Sequence, residues 1–190
     1  MIKPPPPSPI FPHPSLTALH LVSTTLTRAR IPHALGGSGL LAALGLADRV
    51  RDWDLTTDCS PQEVLGSLPN VGAAVLGPNG PFLTQGLVRL NLDGAAFDII
   101  CRFAIRHERG AWAFPTIRGG IWQAVPLSRP EPWLVAYMLL GREPRVAALR
   151  QHLREVGADA EVIRRLRRDS LPREVDDALA QLGPECERPG

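Results

Sequence analysis

The chain has 190 residues, 44% of them apolar, enough for one domain with a real core and too few for several. Its formal net charge is only +2, which argues against a chain built on basicity to bind nucleic acid. Cys59, Cys101 and Cys186 are odd in number and show no CxxC spacing, which argues against a disulfide framework or a zinc site and fits a reducing compartment.

Lys3 is the only lysine, so almost all positive charge is arginine. With the abundant Ala, Gly and Pro, this has the look of a GC-rich coding bias, and it weakens any argument that a given arginine was selected for phosphate. No apolar run is long enough to span a bilayer, and Pro4 to Pro7 interrupt any secretory apolar stretch. The expectation is a cytoplasmic protein with no membrane partner.

Residues 1–14 hold seven prolines and read as a disordered, solvated tail. Ser15 is a good N-cap, and Leu16, Leu19, Leu21, Val22 and Leu26 follow at helical spacing up to Arg28 or Arg30. Pro32 ends that helix. His33-Ala34-Leu35 is a short apolar strand that runs into Gly36-Gly37, and Ser38 to Leu46 is a short helix. Arg51 to Thr57 is the next strand, with Asp52 and Asp54 on one face and Trp53 and Leu55 on the other. Ser60-Pro61-Gln62-Glu63 is a complete helix start: serine cap, proline in the first turn, capping-box glutamate.

Val71 to Leu76 reads as a strand, followed by a turn cluster at Gly77 to Pro81. Leu87 to Leu92 alternates, Asp93-Gly94 is a strong hairpin turn, and Ala95 to Phe103 returns. Phe97, Ile99 and Cys101 share one face; Asp98, Ile100 and Arg102 share the other. Arg106 to Phe114 reads as turn-like, and Thr116 to Val125 as one further short strand. From Glu131 on, the pattern is helical: Pro132 to Leu140, Pro144 to Val156, the basic Asp159 to Arg168, and Arg173 to Leu182. The segments are therefore 1–14 (tail), 15–128 (core), 129–183 (C-terminal helices) and 184–190 (tail).

The order of a Gly36-Gly37-Ser38 turn and an Asp52-x-Asp54 strand suggests a site in which backbone amides hold a phosphate and paired carboxylates hold a metal. Asp48 and Asp58 read as turn and cap residues, and His33 as structural. Trp53, Trp112, Trp122 and Trp133 read as core or interface. The Arg164-Arg165 and Arg167-Arg168 run reads as a solvated helix face, with an RNA-binding patch as the other possibility.

On Gly36-Gly37-Ser38 and Asp52-x-Asp54 the chain resembles the nucleotidyltransferase superfamily with the polymerase-beta type fold, over roughly residues 16–103. The resemblance implies an α+β domain: a mixed sheet of about four to six strands flanked by helices, followed by the C-terminal helical segment. It implies Asp98 as the third carboxylate, two Mg²⁺ ions on Asp52, Asp54 and Asp98, and a nucleoside triphosphate as substrate. Gly36, Gly37 and Ser38 would hold phosphate, with Arg49 and Arg51 screening its charge. Arg102 would contact pyrophosphate or pair with Asp98.

Residues 51–64 are also similar to the head domain of CCA-adding tRNA nucleotidyltransferases and bacterial poly(A) polymerases. The Arg-Asp pair and the Arg-Arg-Asp motif of those enzymes are absent. The expectation is therefore a minimal nucleotidyltransferase that moves a nucleoside monophosphate to a hydroxyl of an RNA or tRNA end, a protein or a small molecule. The other reading is a catalytically silent binding module with a protein partner, such as one half of a toxin–antitoxin pair. The base pocket is expected between residues 118 and 145, with no evident base reader.

Overall fold

The computed structural model describes residues 13–68 and 72–183. The proline-rich stretch up to residue 12, the tail from residue 184 with Cys186, and the expected strand start at Val71 lie outside the described residues. In chain order the elements are α1 (Leu16–Arg28), β1 (Ala34–Leu35), α2 (Gly37–Ala43), β2 (Trp53–Thr57), α3 (Pro61–Ser67), β3 (Ala73–Leu76), β4 (Gly86–Leu92) and β5 (Ala95–Cys101). Then come β6 (Ala104–His107), β7 (Gly110–Ala113), β8 (Arg118–Trp122), β9 (Val125–Ser128), α4 (Pro130–Leu139), α5 (Glu143–Val156), α6 (Ala160–Leu166) and α7 (Arg173–Ala180).

The local signals act as their chemistry dictates. The Ser15 hydroxyl accepts the Ala18 amide at 3.1 Å and starts α1. Leu19, Val22 and Leu26 are buried, whereas Leu21 sits on the outer face of the helix and is 54% exposed. Ser60 and Glu63 form the reciprocal capping box at the start of α3. His33 is fully buried. Its Nδ1–H donates to the Ile31 carbonyl at 3.0 Å, so its Nε2 accepts the Ser23 hydroxyl at 2.8 Å. Burial holds this imidazole below its ordinary pKa, and the neutral ring pins α1 to the start of β1.

Seven strands form one mixed sheet in the order β3-β4-β5-β2-β1-β9-β8, and β6 and β7 form a separate hairpin. β2 pairs with β5 and β1 with β9 in parallel; the other neighbours are antiparallel. The class is the expected α+β, in a sheet wider than expected. Residues 116–128 supply two strands where the sequence suggests one. The turn between them places Gln123 and Ala124 at φ 49° and 58°. Such left-handed turns normally carry Asn or Gly, so this one leaves no sequence signal. The stretch from 104 to 113 is likewise a hairpin and not a polar turn. Ile105 and Trp112 face each other across it and are buried, behind a charged tip that masks the alternation.

Helix α4 is buried on all sides from Glu131 to Tyr137, as an apolar helix with no polar face must be. The Glu131 carboxylate in its first turn accepts from the Arg129 guanidinium at 2.9 Å and the Asp159 amide at 2.8 Å. Asp159 itself caps α6. One hydrophobic cluster runs from α1 through the sheet to α7. No helix among the described residues is long and apolar enough to cross a membrane.

Candidate active site

The centre of the sheet fixes the acidic residues. Period-two alternation buries Trp53 and Leu55 on one face of β2 and turns Asp54 to the other. On the parallel neighbour β5, Phe97 and Ile99 are buried and Asp98 is turned the same way as Asp54. The register places Asp54 directly beside Asp98. One strand further, Arg89 of β4 stands opposite Asp98. Its Nε and Nη2 donate to Oδ1 and Oδ2 of Asp98, both at 2.7 Å.

The Gly-Gly turn is built against these groups. The Gly36 amide donates to the Asp54 carbonyl at 2.8 Å, which closes the turn onto β2. A Cβ on Gly36 would lie 2.0 Å from Cζ2 of Trp133. A Cβ on Gly37 would lie 1.8 Å from Oδ2 of Asp54, and Gly37 has φ +53°, a region that side chains rarely tolerate. Both glycines are thus required by close approach: the first by an indole ring of α4, the second by the Asp54 carboxylate. The Ser38 amide serves Asp54, while the Ser38 hydroxyl is buried with no hydrogen-bond partner among the described residues.

Burial raises the Asp54 pKa from 3.8 to about 7. The neighbouring charges of Asp52 and Asp98 add to the rise; Arg145 and the Ser38 amide oppose it. The Tyr137 phenol is pushed up to about 12, again mainly by burial. The Arg145 guanidinium lies 5.2 Å from the Tyr137 ring centroid and its Nη1 is 3.4 Å from the phenol oxygen.

Asp54, Asp98, Tyr137 and Arg145 line a cavity of about 600 Å³. One side is polar: Gly37, Asp54, Asp98, Arg89, Arg142 and Arg145. The other is apolar, with Leu76, Phe82, Leu87, Ile100, Phe103 and Trp133. No family model matches the sequence, and no curated protein does. Solved structures do. A candidate nucleotidyltransferase from Thermotoga maritima superposes with a TM-score of 0.56 at 23% identity, over 74% of this chain and 92% of that one. ANT(2")-Ia, in complex with adenylyl-2"-tobramycin, gives 0.52 at 15% identity, over 87% and 95%.

The chain has the nucleotidyltransferase fold.

Within this fold the expected site residues separate into two groups. Gly37, Asp54 and Asp98 line the cavity, while Gly36 and Ser38 flank Gly37 in the turn and are not part of its lining. Asp52 lies in the bend just before β2, half-buried, outside the cavity lining but close enough to act on Asp54 through its charge. Arg49 and Arg51 are exposed on the approach to β2 and do not line the cavity. Arg102 is not the partner of Asp98. β5 ends at Cys101, Arg102 turns to φ +48°, and its Nε donates to the Asp58 carbonyl at 3.1 Å.

Arg89 takes the place beside Asp98, and register could have found it. Counting back equally from the Asp93-Gly94 turn sets residue 89 opposite 98. Trp133 and Tyr137 carry no such signal, since α4 is apolar on every side, and Arg142 and Arg145, at the start of α5, are two arginines among many. They fall within the stretch 118–145 expected to face the base. In the basic run, Arg164 pairs with Glu161, and Arg167 holds Asp176 with two hydrogen bonds.

The nucleotidyltransferase fold implies a divalent cation. Among the described residues, no three acidic, histidine or cysteine side chains converge as a ready-made metal cluster. Asp98 has both oxygens on Arg89. The donor chemistry nevertheless suits Mg²⁺. Asp54 and Asp98 are adjacent carboxylates, and burial first, then the charges of Asp52 and Asp98, makes ionised Asp54 costly, a cost that a cation would offset.

Proposed function

We propose that the chain is a Mg²⁺-dependent nucleotidyltransferase, moving a nucleoside monophosphate from a nucleoside triphosphate to an acceptor hydroxyl. The observation that carries this reading is the register of Asp54 beside Asp98, facing one cavity with three arginines. Asp54 and Asp98, with Asp52 behind them, would hold the cation. When bound, Mg²⁺ would offset charge on the triphosphate and, at a second position, lower the pKa of the acceptor hydroxyl.

The chain supplies the rest. Arg142 and Arg145 bind phosphate oxygens, for which the guanidinium fork is suited. Gly37 lets a phosphate approach the backbone beside Asp54, while the Ser38 hydroxyl is buried outside the cavity lining. Trp133, Phe82 and Phe103 cover the apolar part of the ligand and exclude water. The acceptor hydroxyl gives up its proton to water as its oxygen attacks the α-phosphorus, the bond to the bridging oxygen breaks, and pyrophosphate leaves.

The acceptor follows from the balance of charge. Apart from Asp54 and Asp98, the cavity lining has no carboxylate among the described residues to hold a polyamine. A neutral or anionic acceptor fits better, and the likeness of residues 51–64 to CCA-adding head domains favours an RNA 3′ end. This sets the chain apart from ANT(2")-Ia, whose complex holds adenylyl-2"-tobramycin.

The test uses each of the four nucleoside triphosphates, α-labelled, with Mg²⁺ and separately total RNA, total protein or a small-molecule extract. We expect label on the RNA, lost on chelation and in Asp98→Asn. Label on protein or on a small molecule would keep the transferase and change the acceptor. No label anywhere would leave the fold as a binding module, such as one half of a toxin–antitoxin pair, and equal labelling by Asp98→Asn would overturn the role given to Asp98.

A further inference from the structure

Arg89 is half-exposed and lies at the edge of the cavity, whereas Asp98 is 16% exposed and faces into it. The guanidinium fork takes both Asp98 oxygens at 2.7 Å, the atoms a cation would otherwise take. A pair of this kind, open to solvent on the arginine side, adds little to stability. It does settle the charge of the pocket. Asp52, Asp54 and Asp98 lie near one another, and Arg89 is the cation that touches one of them directly. Arg89 also lines the same cavity as Arg142 and Arg145, so the same fork is within the space a triphosphate would fill.

We propose that Arg89 is a positioning residue that works as a counter-ion latch. In the nucleotide-free site it occupies Asp98 and keeps free divalent metal off the carboxylates. When the triphosphate brings its cation, Asp98 turns to the metal and the Arg89 fork passes to a phosphate oxygen. Metal and nucleotide therefore bind together and not in sequence. The inference rests on the transferase reading above, because it takes Asp54 and Asp98 to be the cation's ligands.

The experiment measures binding. Mn²⁺ is titrated into the protein and followed by the loss of its free-ion EPR signal, with and without each of the four nucleoside triphosphates, each read against the same nucleotide without protein. The proteins are wild type, Arg89→Gln and Arg89→Lys; both changes are at a half-exposed position and leave the core intact. In the wild type we expect weak Mn²⁺ binding alone and strong binding with nucleotide. Both variants should bind nucleotide-free Mn²⁺ about tenfold more tightly and triphosphate about tenfold more weakly.

Arg89→Lys keeps the charge and loses the fork, so it separates a latch from a simple field effect. If only Arg89→Gln gains Mn²⁺ affinity, or neither variant does, the latch is wrong while the metal site stands. If the wild type takes up no Mn²⁺ with any nucleotide, the transferase reading itself fails.

Discussion

Asp54→Asn should abolish nucleotidyl transfer and at the same time make the protein more stable at neutral and alkaline pH. A bound cation is worth several kcal/mol of transition-state stabilisation, so losing this ligand should cost about a thousandfold in rate. The stability effect has the opposite sign. The Asp54 carboxyl titrates near 7 when folded, against an ordinary 3.8. The folded state therefore binds a proton more tightly than the unfolded chain.

The wild type has full stability from this group below pH 3.8 and loses it as pH rises through about 7. That difference corresponds to at most roughly 4 kcal/mol. The carboxyl faces a cavity that admits water, so we expect about 2 kcal/mol, or about 5 °C in Tm, at pH 8. The gain of Asp54→Asn over wild type should shrink steadily towards pH 4. Thermal melts across that range check it. A variant less stable than wild type at pH 8 would mean that Asp54 is a structural anion and not a ligand held under strain.

Gly36→Ala should cost about 3 kcal/mol, and Trp133→Leu should rescue it. The backbone of Gly36 has φ −126°, which any residue can adopt. The cost is therefore contact alone: a Cβ at 2.0 Å, 2.4 Å and 2.8 Å from three atoms of the Trp133 indole. That ring is wedged among Phe103, Phe114 and Tyr137 and has little room to retreat. Overpacking of a rigid site costs at the upper end of the 1–3 kcal/mol range. In a Trp133→Leu background the same substitution should cost less than about 1 kcal/mol, a coupling that a double-mutant cycle by urea unfolding reads directly.

Gly37→Ala differs in kind. It adds left-handed strain and displaces the Asp54 carboxylate, 1.8 Å from the new Cβ. It should lower transfer about a hundredfold, because a displacement near 1 Å at the reacting groups has that effect. Additive costs for Gly36→Ala and Trp133→Leu would show that the turn does not rest on the indole.

The positions of Asp54 and Asp98 were legible because strand alternation is local. A two-residue turn at Asp93-Gly94 fixed β5 against β4, and the buried Phe97 and Ile99 fixed which face Asp98 took. Arg102 is not beside Asp98 because β5 ends at Cys101, two residues before the expected Phe103, and a residue at positive φ leaves the strand's face. Arg89 lay within reach of register, but in a chain whose basic residues are almost all arginine none draws attention.

The roof of the cavity was not legible at all. Trp133 and Tyr137 sit four apart on a helix that is apolar on all sides, so periodicity says only that the helix is buried. Their meeting with Gly36 and Asp54 is a tertiary fact. The indole on Gly36 gives that glycine a reason to be glycine apart from any phosphate. The hairpin at 104–113 was hidden in the same way, its two core residues flanked by charge.

The most direct measurement is a crystal structure with Mg²⁺ and a non-hydrolysable nucleoside triphosphate. We expect a cation about 2.1 Å from oxygens of Asp54 and Asp98, phosphates against Gly37, Arg142 and Arg145, and the Arg89 guanidinium moved from Asp98 to a phosphate. A triphosphate bound elsewhere, or a cation that leaves Asp54 and Asp98 untouched, would contradict it.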